Sequence, residues 1–228
     1  MTPEMEALIN RAQARSDDET HEGQGPQGSA AWLFERAGYV TASRFEDVIA
    51  KTKAGKPTAA RETYKWELVI ERLTGSPSDH WTSTAMQWGS DNEQASKMIF
   101  EAATGAILEP CGFVKHPAEK WIGASPDALI DDDGGFESKS PFNSRYQLET
   151  IIAGAMPDEH KAQVQGGMWV TGRKYWIFQS YDPRLPAPLN CFRQRIERDD
   201  AYIAAMAAEV IVFAQEVEFL VAKLSEPV

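Results

Sequence analysis

The sequence predicts an α/β fold in which a mixed central β-sheet is flanked by helices. Three observations lead there. Helical periodicity runs from about residue 43 to 104 and returns from about 200 to 224. Short apolar and aromatic segments with strand character occupy the middle of the chain. A helical stretch at about 157–170 divides those segments into two groups, so helices and strands are layered rather than segregated. A length of 228 residues suits one decorated unit, so a single domain is expected over 31–228. A short N-terminal helix and a mobile, Asp-, Gly- and Ser-rich lead-in are expected before it, up to about residue 30.

The elements follow in order. Ser43 and Glu46 form a capping-box pattern ahead of Phe45, Val48 and Ile49, which predicts a helix beginning at Ser43. Lys51 to Thr58 lacks periodicity and reads as a loop. Tyr64, Leu68 and Leu73 then mark a second helix, stopped at Gly75-Ser76-Pro77, and a third is expected from about Trp88 to Thr104. Trp121 to Ser125 has strand character, Asp131 to Gly135 is a turn, and Phe136 to Ser140 is a returning strand closed by Pro141: a hairpin-like unit. A helix from about Pro157 to Val170 comes next, followed by strands at Tyr175–Tyr181 and about Leu189–Glu197. Asp199 or Asp200 then caps a long helix whose apolar positions Ile203, Met206, Val210, Phe213, Val217 and Leu220 recur every three or four residues.

Composition narrows the function classes. Seven Trp, ten Phe and 43% hydrophobic residues describe a globular chain. The N-terminus has neither a basic region nor an apolar one, and no apolar run approaches the roughly 20 residues of a membrane helix, so a soluble cytoplasmic protein is expected. Cys111 and Cys191 alone support neither a disulfide framework nor zinc, and they exclude a four-cysteine iron–sulfur cluster. The net charge of −11 argues against a nucleic-acid partner, but its distribution is uneven. Six acids lie in 1–24 and six in 199–228, whereas 44–65 holds Arg44, Lys51, Lys53, Lys56, Arg61 and Lys65 against three acids, either a solvated face or part of a DNA groove.

The segment with most chemical content is Asp127 followed ten residues later by Glu137-Ser138-Lys139. Alternation along a strand places Glu137 and Lys139 on one face, and the preceding arm can bring Asp127 beside them. Two carboxylates in one partly buried site are costly without a cation, and hard oxygen donors suit Mg²⁺ or Mn²⁺ rather than zinc. Asp127, Glu137 and the Ser138 backbone carbonyl would hold that ion against a phosphodiester, with Lys139 orienting and helping to deprotonate the attacking water, its pKa lowered by burial and the metal. The same pattern also arises as a turn cap beside a surface ion pair. The histidines, His21, His80, His116 and His160, show no spacing that suggests a site and read as structural or solvent-facing.

Further motifs separate these readings. Trp88-Gly89…Glu93, Ser125-Pro126-Asp127, Glu137-x-Lys139-x-Pro141, Gln163-Val164-Gln165…Met168-Trp169-Val170-Thr171 and Tyr181-Asp182-Pro183-Arg184 occur in an order and spacing that resembles lambda exonuclease and the YqaJ-like viral recombinase family, nucleases of the PD-(D/E)xK type, over roughly 32–200. The resemblance implies a restriction-endonuclease-like core. It implies a processive, Mg²⁺-dependent 5′→3′ exonuclease acting on double-stranded DNA ends, releasing mononucleotides and leaving a 3′ strand for recombination by annealing. It implies Asp127 and Glu137 as metal ligands, Lys139 as the catalytic lysine, Glu93 as an acid reaching a second metal or its water, and Gln165 as a positioner of water or DNA. Arg36, Thr41-Ala42-Ser43 and Ser125 fall where the 5′-phosphate would bind, an assignment that the N-terminus of a helix at Ser43 would favour. Gln163 would contact DNA, and Met86 would either wedge between terminal bases or pack in the core. A ring-shaped homotrimer, a single-strand annealing protein as partner and a phage or prophage setting are also implied.

The chain departs from the family pattern before Trp32, at the small Ser138 and at Gly166-Gly167, which weakens the helix and leaves the pose of Gln165 open. Two rivals remain: an endonuclease with the same metal core, and a non-catalytic DNA-end-binding accessory protein.

Overall fold

The computed structural model describes residue 25 and residues 27–78 and 83–226. The expected N-terminal helix and most of the lead-in lie outside these residues. The helices are α1 (Ala30–Arg36), α2 (Phe45–Ile49), α3 (Ala59–Thr74), α4 (Thr84–Thr104), α5 (Ser144–Ala153), α6 (Lys161–Thr171) and α7 (Asp200–Ser225). The strands are β1 (Val40–Thr41), β2 (Val114–Lys115), β3 (Ile122–Ala124), β4 (Ala128–Ile130), β5 (Gly134–Lys139), β6 (Tyr175–Tyr181) and β7 (Cys191–Glu197).

Two mixed sheets form where one central sheet was expected. The smaller has the order β1-β3-β2 and the larger β4-β5-β6-β7, in which β5 and β6 run parallel and the other neighbours antiparallel. Parallel pairing needs a long crossover, and α5 and α6 supply it. The division falls at Ser125-Pro126. Proline cannot donate to a ladder, so the expected arm Trp121–Ser125 ends at Ala124 in the small sheet, and the true hairpin partner of β5 is β4. Asp127 sits at the first residue after this break.

The main core lies between α7 and the helices α2, α3 and α6. Phe45, Val48, Tyr64, Leu68, Met206, Val210, Phe213 and Val217 meet there, as the periodicity of α7 requires. Asp199 caps α7, accepting from Tyr202 N at 2.9 Å. Ion pairs run along the same contact: Lys51 to Glu209 at 2.8 Å, Arg61 to Glu216 at 2.9 Å and Lys65 to Glu216 at 3.7 Å. Much of the basic stretch is therefore neutralised by the C-terminal acids, which removes those side chains from a free DNA groove.

The two helices that carry site residues approach the large sheet by different means. Helix α4 packs Phe100 against Phe136 with ring centroids 4.9 Å apart. Helix α6 approaches the sheet through Gly167, where an added Cβ would come within 2.9 Å of Trp176, and meets α2 through Gly166, where an added Cβ would come within 2.5 Å of the Phe45 ring. The glycines allow the close approach, and the helix runs unbroken through them. Helix α5 was not foreseen. Asn143 caps it, accepting from Arg145 N at 3.0 Å, and Gly154 in a left-handed conformation ends it.

The expected helix at Ser43 is corrected. Ala42–Arg44 is a 3₁₀ turn leading into the five-residue α2, and no side chain caps either. The Ser43 hydroxyl instead lies 3.4 Å from Thr41 Oγ1. So short a helix offers no N-terminal anion site of its own.

Candidate active site

Strand alternation brings Glu137 and Lys139 together as the sequence predicts, with Lys139 Nζ 2.7 Å from Glu137 Oε1. The β4–β5 ladder stops at Ala128 opposite Phe136. Just past it, the Asp127 carboxylate accepts the Ser138 N–H at 2.6 Å, which ties the first acid to the strand carrying the second. Both carboxylates are buried, Asp127 at 8% and Glu137 at 3% exposure. From the crossover, Gln163 Nε2 donates to Glu137 Oε1 at 2.6 Å. From the other side α4 contributes Glu93, paired with Lys97 at 2.5 Å. A cavity of about 550 Å³ opens there, lined by Glu93, Gln94, Lys97, Cys111, Asp127 and Ala128 among others.

The electrostatics follow from this crowding. Burial lifts the Asp127 carboxyl well above its usual range; Glu137 and Glu93 add to the shift, while Lys139 and the Ser138 N–H oppose it. Burial alone would lower Lys139, but Glu137, Asp127 and Glu93 outweigh it and raise the ammonium above its ordinary value. Without a bound cation, the three carboxylates therefore outweigh burial at Lys139. Asp127 and Glu137 supply hard oxygen donors, and the burden on Asp127 is what a divalent cation relieves, so these residues fit such an ion. Among the described residues no three His, Cys, Asp or Glu side chains are gathered tightly enough to enclose one unaided. Completion would fall to backbone, water or substrate oxygens.

Gln165 is not brought to this site. It is 2% exposed, with Nε2 donating to Glu197 O and Oε1 accepting from Asp199 N, both at 2.9 Å. It fastens α6 to the β7–α7 junction, and Gln163, two residues earlier, is the glutamine that faces the acids. A helix turns about 100° per residue, which separates the two by more than half a turn.

Arg36, Ser43 and Ser125 gather in a neighbouring cluster. Arg36 NH2 donates to Thr41 Oγ1 at 3.2 Å, its guanidinium lies 4.3 Å over the Trp32 ring, and Trp32 Nε1 donates to Ser125 Oγ at 3.1 Å. Ser125 is two residues before Asp127, so this cluster adjoins the acidic site. Met86 is 56% exposed on the first turn of α4, which removes the core-packing reading.

Two groups near the site were missed as such. His160 stacks on Phe178 at 5.4 Å and is pushed down to about 4 by burial, with Lys139 adding to the shift. Its position three residues before Gln163 was the available signal. Arg184 explains the Tyr-Asp-Pro-Arg motif. Its guanidinium binds Asp182, donates to the Pro141 and Phe142 carbonyls at 2.9 Å, and covers Trp88 at 4.3 Å, fixing the chain just beyond Lys139.

Known proteins resemble this chain in sequence and fold. The YqaJ-like viral recombinase domain matches residues 31–174. The alkaline exonuclease LHK-Exo of Laribacter hongkongensis is 39% identical, with a TM-score of 0.79 over 86% of this chain and 96% of its own, and has also been solved with dAMP. A phage-related exonuclease of Haemophilus somnus 129PT, 16% identical, shares the fold at a TM-score of 0.59 over 82% of this chain and 96% of its own. ExoD, an uncharacterised protein of Escherichia coli K12, is 33% identical over 70 residues, 31% of this chain and 79% of its own. No helix among the described residues is long and apolar enough to cross a membrane. The chain belongs to the YqaJ-like viral recombinase family and is a nuclease.

Proposed function

We propose that this nuclease is a 5′→3′ exonuclease of double-stranded DNA ends that uses Mg²⁺, with Mn²⁺ able to replace it, and releases mononucleotides. The observation that carries the reading is the convergence of buried Asp127 and Glu137 with Lys139 and Gln163, beside a cavity of nucleotide size. Likeness to an alkaline exonuclease that binds dAMP supports the substrate class. Asp127, Glu137 and the Ser138 carbonyl would hold a hard divalent cation, which would supply positive charge at the scissile phosphate. Lys139 orients and helps to deprotonate the attacking water, and Gln163 fixes the Glu137 carboxylate. Glu93 adds a third acid at the cavity wall. Arg36, Thr41, Ser43 and Ser125 bind the terminal 5′-phosphate, and exposed Met86 wedges against the end base pair.

Family likeness extends the reading to a ring-shaped homotrimer. Encirclement explains how a chain of net charge −11 stays processively on DNA. It also extends to a single-strand annealing partner that receives the 3′ strand, in the cytoplasm of a bacterium carrying phage or prophage. The test is linear duplex with a 5′-phosphate, labelled at either the 5′ or the 3′ end, beside a covalently closed circle. Early release of the 5′ label as mononucleotide with the circle intact supports the proposal. Cutting of the circle shows an endonuclease, and binding of ends without cutting shows an accessory protein.

A further inference from the structure

Ser138, the small residue between Glu137 and Lys139, points to the opposite face of β5 and has a partner there. Its Oγ donates to Ser96 Oγ at 2.6 Å, and Ser96 lies on α4, fully buried, three residues after Glu93. Positions three apart on a helix are neighbours on its surface. The backbone N–H of the same Ser138 holds Asp127. Ser138 thus links the strand acids to the helix that carries the third acid.

The link is braced from a second side. Gln179 sits beside Ser138 in the parallel register and is fully buried. Its Nε2 donates to both Ser96 O and Ser96 Oγ at 2.7 Å. Its Oε1 accepts from Arg193 Nε at 2.9 Å and NH2 at 2.8 Å, which commits the amide to one orientation and leaves Nε2 for Ser96. The Arg193 guanidinium also lies 4.9 Å from the ring centre of Phe100, one turn further along α4. Burying hydroxyls and an amide is unfavourable unless all are partnered, and apolar side chains would attach α4 to the sheet without that demand. Hydrogen bonds add direction, which fixes how far α4 is slid along β5.

We propose that Ser96 and Ser138, braced by Gln179 and Arg193, are positioning residues that set Glu93 in register with Asp127 and Glu137 for cation binding. The inference rests on the metal-dependent reading given above. Its test is Mn²⁺ affinity by calorimetry on the intact protein without DNA, together with kcat and KM on linear duplex, for Ser96→Ala, Ser138→Ala, the double variant and Ser138→Thr. Each alanine variant is expected to weaken Mn²⁺ by about tenfold, the usual scale for groups that support metal ligands. The same variants should lower kcat and leave KM for DNA near wild type. The double variant should be no worse than Ser96→Ala, because that single change already removes the Ser138–Ser96 bond together with the one from Gln179 Nε2, and threonine at 138 should restore binding. Arg193→Ala, at a half-buried position, gives a milder loss in the same direction should the serine variants fold poorly. Alanine variants that melt earlier but bind Mn²⁺ and turn over as wild type overturn the proposal, as do strictly additive losses. A wild-type protein that binds no Mn²⁺ overturns the metal reading itself, so the two failures are distinct.

Discussion

Gln163 donates to the Glu137 carboxylate at 2.6 Å, whereas Gln165 is tied to the backbone at Glu197 and Asp199. Opposite consequences follow. Gln163→Ala should lower the hydrolysis rate with little change in stability, because its loss leaves Glu137 still paired with Lys139. Gln165→Ala removes two hydrogen bonds, to the Glu197 carbonyl and from the Asp199 N–H, and should cost about 1–3 kcal/mol at roughly 0.5–1.5 kcal/mol each, with activity per folded molecule retained. Thermal melts beside rate measurements on the two variants check this, and the reverse pattern would contradict it.

Asp127 bears the cost of the site. Its carboxyl gives up its proton at higher pH in the folded chain than in the unfolded one, where the ordinary value is 3.8. Its contribution to stability is therefore full below 3.8 and falls as pH rises through the folded value. Without divalent cation at neutral pH, Asp127→Asn should stabilise the protein by about 1–2 kcal/mol, the scale on which active sites trade stability for function. Mg²⁺ should raise the wild-type melting temperature and leave that of the variant nearly unchanged. Calorimetric melts with and without Mg²⁺ test this directly.

His160 gives an acid-side signature. Its folded value is about 4 against an ordinary 6.5, so between those limits the unfolded chain binds a proton that the folded one refuses. Stability from this group is full above 6.5 and falls as pH drops toward 4. His160→Gln removes the titration. The advantage of wild type over variant should therefore shrink by about 2 kcal/mol across that window, a value discounted for partial exposure. Urea titrations at several pH values measure it, and a constant difference would contradict the assignment.

Arg184 supports the chain after Lys139 through two backbone carbonyls and the fully buried Asp182. Arg184→Ala should destabilise by about 1–3 kcal/mol, since it leaves a buried carboxylate without its cation. Arg184→Lys should recover little, because one ammonium cannot serve a carboxylate and two carbonyls in the geometry of a planar fork. Chemical denaturation of both variants distinguishes the fork from the charge.

What the sequence made legible was local. The alternation of Glu137 and Lys139, the periodicity of α7 and the Asp199 cap depend on neighbours a few residues apart, and each appears as expected. The α/β class and the approach of Asp127 to Glu137 were legible for the same reason. The pieces that escaped depend on distant contacts. Gly166 and Gly167 look like helix weaknesses until Phe45 and Trp176 are placed against them. Which glutamine faces the acids depends on the rotation of α6 about its axis, which spacing alone does not set. In the metal-free site the balance at Lys139 depends on three carboxylates from separate elements, because burial acting alone has the opposite sign. Ser43 satisfied a capping pattern, but the turn there tightened into 3₁₀ geometry and the cap never formed.

The central claim is that Asp127, Glu137 and Lys139 form one hydrolytic unit, and single-turnover cleavage of 5′-labelled linear duplex by Lys139→Ala in saturating Mg²⁺ tests it most directly. The account predicts that the variant folds, binds DNA ends and releases labelled mononucleotide at least about a hundredfold more slowly than wild type, the lower end for loss of a group acting on the proton of the attacking water. Cleavage at the wild-type rate would contradict it and leave the pair of Lys139 and Glu137 as a structural contact.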